Sequence, residues 1–167
     1  MIEQRDRPGP RRPPRATPVD RRFRILLAGG GGPFAPEVLD EAVRLAEERH
    51  AKVAVLQLLR VWGTGLGLPH PGLRPNRQEQ QAAIDTLDEA LAHLAAHDIP
   101  VAEQLIIGTR HPAKAILRHI ERTGTGLVVM GAPAKRRMGD WNWGNEPYRV
   151  AKKAPVEVVL VTPQAKV

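Results

Sequence analysis

The sequence predicts an α/β fold: a single domain built on a five-stranded parallel sheet, Rossmann-like, with helices on both faces. Three observations carry the prediction. Short apolar runs alternate with segments of helical periodicity from residue 23 to residue 161. The runs are apolar at successive positions rather than at every second one, the pattern of strands covered on both faces. A chain of 167 residues, 42% of them hydrophobic, supplies one sizeable core and leaves little for a second.

The elements follow in order. Phe23 to Ala28 reads as a buried strand, stopped by Gly29-Gly30-Gly31-Gly32-Pro33. A helix fits Pro36 to Arg49, with proline in the first turn, where helices accept it, and Val38, Ala42, Leu45 and Ala46 on one face. Lys52 to Leu59 is a second buried strand. The 16 residues from Arg60 to Pro75 hold four glycines and three prolines, a connection longer than most and therefore a candidate for function. Asn76 to His97 is a long helix with Ile84, Leu87, Leu91 and Leu94 directed inward. Val101 to Ile107 is the third strand, and Pro112 to Thr123 a helix with Ala113, Ile116, Leu117 and Ile120 inward. Gly126 to Met130 is the fourth strand; after a loop and a short helix, Val156 to Val161 is the fifth. Parallel strands need right-handed crossovers, and ligands of such sheets bind beyond the carboxyl ends of the strands.

Charge is concentrated at one end. Residues 1–24 carry eight arginines against Glu3, Asp6 and Asp20, +5 of the formal net charge of +7. Residues 1–22 also hold five prolines and almost nothing apolar, so they read as a disordered basic arm ahead of a domain spanning 23–167. Such an arm can grip nucleic acid, but a solvated tail that raises solubility is the favoured reading, and nucleic acid is not expected as a partner. No apolar stretch reaches the length of a membrane span, and the first residues lack the apolar core of a signal peptide, so the expectation is cytoplasmic. Cysteine and serine are both absent, which excludes disulfides, thiolate metal sites and serine or thiol nucleophiles.

The segment after the fourth strand holds the densest chemistry. Val128-Val129-Met130-Gly131 runs into Ala132-Pro133-Ala134, the basic trio Lys135-Arg136-Arg137, Trp141 and Trp143, then Gly144-Asn145 and a helix. A strand, a glycine-bearing loop and a helix N-terminus make an anion site, because small residues let backbone N–H groups approach phosphate oxygens and the helix dipole favours negative charge. Elsewhere, Gly30-Gly31-Gly32-Pro33-Phe34-Ala35 fits the form of a dinucleotide fingerprint, with Arg60 placed to meet a 2′-phosphate, but Pro33 and Pro36 interrupt the tight turn it needs. His93 and His97 stand four apart without the glutamate of a zinc motif, and His111 and His119 read as surface residues. No metal site and no catalytic constellation are expected.

From Arg24 to Val161 the chain resembles the universal stress protein family. The family's nucleotide motif is G-x-x-G, nine residues, then G-[S/T], between a strand ending in Met-Gly and a closing Ala-Pro-x-x-Val-x-Val strand. Here Met130-Gly131, the nine residues Lys135 to Trp143, Gly144 and the final Ala154-Pro155-Val156-Glu157-Val158-Val159-Leu160-Val161 stand in register. Gly108 to Leu117 and Leu39 to Ala46 are also similar to family segments. Three positions depart from the pattern: Ala134 replaces the second motif glycine, Asn145 the Ser/Thr, and Gly30 the aspartate that ends the first strand.

The resemblance implies an adenine nucleotide such as ATP or AMP, bound without turnover, in stress response or signalling. It places phosphates around Gly131, Ala134, Gly144 and Asn145, ribose near Gly108 and Gly131, and adenine between Ala28-Gly29-Gly30 and Leu58, with Met130 closing the strand. Asn145 retains the ability to cap the helix that follows. It also implies a homodimer through the last strand, Val156 to Val161. The alternative is a nucleotide-free dimeric interaction protein of the same fold, acting through protein partners.

Overall fold

The computed structural model describes residues 22–61, 75–134 and 145–164. Its elements run β1 (Arg24–Gly29), α1 (Pro36–Glu48), β2 (Lys52–Arg60), α2 (Arg77–Ala96), β3 (Val101–Thr109), α3 (Pro112–Thr123), β4 (Leu127–Gly131), α4 (Glu146–Lys153) and β5 (Glu157–Val161). All strands are parallel, in the order β3-β2-β1-β4-β5. The predicted α/β architecture is thus the observed one. Residues 1–21 of the basic arm, residues 62–74 of the long connection after β2 and the loop from Lys135 to Gly144 lie outside the described residues.

The order of the strands follows from burial. Ile25, Leu26 and Leu27 of β1 are fully buried, so β1 must be covered on both faces and paired on both edges. One face, with Ile25, Leu27, Val53, Val55, Leu127 and Val129, packs on α1 and α2. The other, with Leu26, Ala28, Leu56, Leu58, Val128 and Met130, packs on α3 and α4. The edge strands β3 and β5 are only half-buried, with Glu103, Gln104 and Glu157 among their residues; their runs are not covered on both faces as the sequence implied. Strand β3 also runs past Ile107, because Gly108 and Thr109 pair with Leu59 and Arg60.

Local chemistry sets the helix ends. Asn76 and Glu79 form a reciprocal capping box at the start of α2, at 2.8 and 2.9 Å. Helix α3 stops at Gly124, whose φ of 63° is the left-handed conformation glycine adopts without strain. The buried face of α1 includes all four expected residues, but two other helices depart from expectation. On α2 the buried stripe is Ala83, Thr86, Leu87, Ala90 and Leu94, which leaves Ile84 one residue out of phase and 42% exposed. On α3 the buried residues include Ile116 and Ile120 as expected, while Ala113 and Leu117 are only partly covered.

His119 corrects the sequence reading more sharply, because it is 2% exposed rather than at the surface. It lies one helical turn from Ile116 on the face that packs on the sheet, with Nε2 at 3.6 Å from Glu103 Oε2. Glu103 in turn pairs with Arg24 across the sheet. Burial holds the imidazole pKa below its ordinary 6.5; Glu103 opposes that shift, while Arg24 and Arg122 add to it. The folded protein therefore takes up this proton at lower pH than the unfolded chain. Stability from this residue is fully present above about pH 6.5 and falls as pH drops below it, until the folded form is protonated too. Denaturant unfolding of wild type and His119→Leu between pH 7.5 and 5 should show wild type losing at most about 1.4 kcal/mol per pH unit more than the variant. Parallel pH profiles would refute the assignment.

Candidate functional site

The chain turns outward in opposite directions on the two sides of the β1–β4 pair, so the connections leaving β1 and β4 diverge and open a crevice at the carboxyl ends. A cleft of about 880 Å³ lies there, lined by Ala28, the run 29–32, Phe34, Leu59, Arg60, Gly131, Pro133 and the first residues of α4, among others. Two smaller pockets, of about 290 and 310 Å³, flank α3. Of these three, the cleft has the size and position expected of a ligand site in such a sheet.

Packing dictates why glycines ring it. A Cβ on Gly29 would overlap Gln57 Oε1 and stand 2.9 Å from the Phe34 ring. A Cβ on Gly30 would overlap Glu146 Oε1, and one on Gly131 would come within 3.1 Å of Val38 Cγ2. Gly31 has a φ of 103°, a conformation side-chain-bearing residues avoid. Gln57, fully buried on β2, donates from Nε2 to the Gly32 carbonyl at 3.0 Å and so ties the glycine run down. On the opposite wall, the Tyr148 hydroxyl donates to the Pro133 carbonyl, joining α4 to the exit of β4. Pro147 sits in the first turn of α4, and Asn145 precedes it without a side-chain capping bond. That expected cap is not formed.

The structure gathers some of the predicted site residues and separates others. Ala28, Gly29, Gly30 and Gly131 surround the cleft. Leu58 and Met130 point to the opposite face of the sheet, into the core against α3 and α4, because alternate residues of a strand face opposite ways. Leu59 lines the cleft in place of Leu58. Gly108 lines a pocket beside α3, next to Thr109 and His111. Ala134 is exposed, and Gly144 lies outside the described residues, as do Lys135, Arg136, Arg137, Trp141 and Trp143. Residues 30–35 separate β1 from α1, so the run does not turn tightly into a helix as a dinucleotide fingerprint does. The rings of His93 and His97 lie 4.9 Å apart with their planes tilted by 40°, and both are engaged locally, His93 with Asp40 at 3.1 Å and His97 with the His93 carbonyl at 2.9 Å.

Two residues of the site were not singled out from the sequence. Gln57 is the one polar residue in the apolar run Val53 to Leu59, a signal that was there to be read. Glu146, 5% exposed, carried no such mark among the charges that follow the basic loop. The charged groups lining the cleft among the described residues are Arg60, Glu79 and Glu146, and Glu79 is already held in the α2 capping box.

A sequence model described as the Universal stress protein family matches residues 22–162. Comparison with curated proteins yields no match. Several solved structures share the fold. A universal stress protein family member from Burkholderia pseudomallei is 21% identical, with a TM-score of 0.62 over 86% of this chain and 98% of that one. The universal stress protein from Archaeoglobus fulgidus in complex with dAMP is 19% identical, with a TM-score of 0.60 over 83% and 96%. A family protein from Arabidopsis thaliana with AMP bound is 15% identical, with a TM-score of 0.57 over 86% and 93%.

The packing at Gly29 makes a direct prediction. Gly29→Ala forces Gln57 or Phe34 to move, and Gln57 cannot do so without straining its bond to Gly32. Overpacking of this kind costs about 1–3 kcal/mol. Urea unfolding should register that loss, and Gln57→Ala should restore part of it in the double variant.

Proposed function

The chain belongs to the universal stress protein family, and we propose that it binds an adenine nucleotide in the cleft beyond β1 and β4, without turnover, as a module of stress response or signalling. The observation that carries this reading is the glycine-lined cleft at the point where the sheet topology reverses. The segment 29–32 and Gly131 line the cleft without side chains of their own, and the volume suits a nucleotide. The dAMP and AMP bound to the Archaeoglobus and Arabidopsis proteins support the choice of ligand. In this reading the nucleoside lies against residues 28–32 with Leu59 beside it. The phosphates extend from Gly131 toward Ala134 and the loop leading to Gly144 and Asn145. The lining supplies a guanidinium, carboxylates and backbone groups, which suits holding a ligand. Calorimetry on protein stripped of bound ligand should give heat with AMP, ADP or ATP, and Ala134→Gly should tighten binding by removing a methyl group from the phosphate path. If neither protein shows heat or a thermal shift at millimolar nucleotide, the nucleotide-free interaction module is the correct reading.

The proposed assembly is a homodimer through β5. This strand is an edge, paired on one side only, and Val158, Val159, Leu160 and Val161 are each half-buried in the single chain. An apolar edge invites pairing, and a two-fold axis closes it. Sedimentation at micromolar concentration should show a dimer that Val159→Lys dissociates; a monomeric wild type would end the proposal.

A further inference from the structure

Glu146 is the first residue of α4, yet its carboxylate is directed away from solvent and lies over the end of β1. A Cβ built on Gly30 would overlap Oε1, with Cδ at 3.0 Å and Cγ at 3.6 Å, so the carboxylate approaches Gly30 tip first. It therefore fills the space that a side chain at the end of the central strand would occupy. Its place in the cleft is fixed from two sides: Pro147 follows it in the helix, and Tyr148 bonds to the Pro133 carbonyl across the gap. The glycine at 30 is thus matched to the glutamate at 146, 116 residues further along the chain.

We propose that Glu146 is a specificity-determining residue of the cleft, accepting hydrogen bonds from the donor groups of a bound nucleoside, its exocyclic amine or its sugar hydroxyls. This deepens the nucleotide reading and rests on it. The chemistry follows from the lining: an ionised carboxylate is an acceptor only, and Glu146 lines the cleft beside a strand end that carries no side chain of its own. Of the charged residues of α4, Glu146 is the one that lines the cleft, so a ligand held there beside β1 meets that carboxylate. Hydrogen bonds to a charged acceptor are strong enough that losing the charge weakens binding about tenfold or more.

The test is calorimetry with AMP, adenosine, 2′-deoxyadenosine, 3′-deoxyadenosine and purine riboside, on wild type and Glu146→Gln, with thermal unfolding of each protein alone. Glu146→Gln should weaken AMP and adenosine by about tenfold or more. The analogue lacking the group that Glu146 holds should bind more weakly than adenosine to wild type and equally to the variant. Purine riboside in that role identifies the amine, and a deoxynucleoside identifies a hydroxyl. A merely structural role would lower the unfolding temperature and leave the order of the analogues unchanged, which overturns the proposal while the nucleotide reading stands. Binding of none of the five to wild type overturns both. Gly30→Asp combined with Glu146→Ala moves the carboxylate from α4 to β1. The double variant should recover affinity that Glu146→Ala loses and stability that Gly30→Asp loses, and purely additive losses count against the proposal.

Discussion

The central strand β1 is hydrogen-bonded on both edges and buried on both faces, and the rest of the molecule is arranged around where it stops. Up to Ala28 its side chains fill two separate cores, one against α1 and α2 and the other against α3 and α4. At Gly29 the side chains end and the backbone continues into the cleft. A strand buried on all sides has no solvent to supply hydrogen bonds to its last groups, so its exit must be satisfied by protein or by ligand. The neighbouring strand β4 leaves the sheet beside it, also through a glycine, and the two connections part. The site is the consequence of that divergence.

Polar groups from distant parts of the chain converge on this exit. Gln57 reaches from β2 to the Gly32 carbonyl, and Glu146 reaches from α4 to the space above Gly30. Each is buried, and burying a polar group costs free energy unless its neighbours compensate. Each also depends on a glycine, since a methyl group at 29 or 30 would occupy the same volume. The glycine run is therefore more than a flexible connection. It is a surface moulded by two side chains that it does not itself carry. His119, on the other face of the sheet, follows a different logic: it is buried near Glu103, away from the cleft, and burial holds its pKa down.

Much of this was legible in the sequence. The alternation of apolar runs and helical periodicity gave the element order. Gly131 and Gly144, held in register with the closing valine-rich strand, carried the family resemblance. Ala28, Gly29 and Gly30, which the resemblance puts beside adenine, line the cleft. Other expected residues lie away from the cleft. The resemblance puts Leu58 beside adenine, but a strand alternates its faces, and Leu59 is the residue on the cleft side. Gly108 ends up beside α3, since β3 is the edge strand farthest from the switch point.

Sequence alone thus determined the fold class, the family and the strand ends at which a ligand would be sought, because periodicity and motif spacing are properties of nearby residues. Tertiary structure decided which side chains enter the cleft. The pairings of Gly29 with Gln57 and of Gly30 with Glu146 span 28 and 116 residues, and no local pattern encodes them. They arise because parallel pairing of β1 with β2 sets Gly29 opposite Gln57, and because the crossover into α4 brings its first residue back over the end of β1. The same cause buried His119: its helical phase was readable, but the approach of Glu103 and Arg24 beneath it exists only once the sheet has formed.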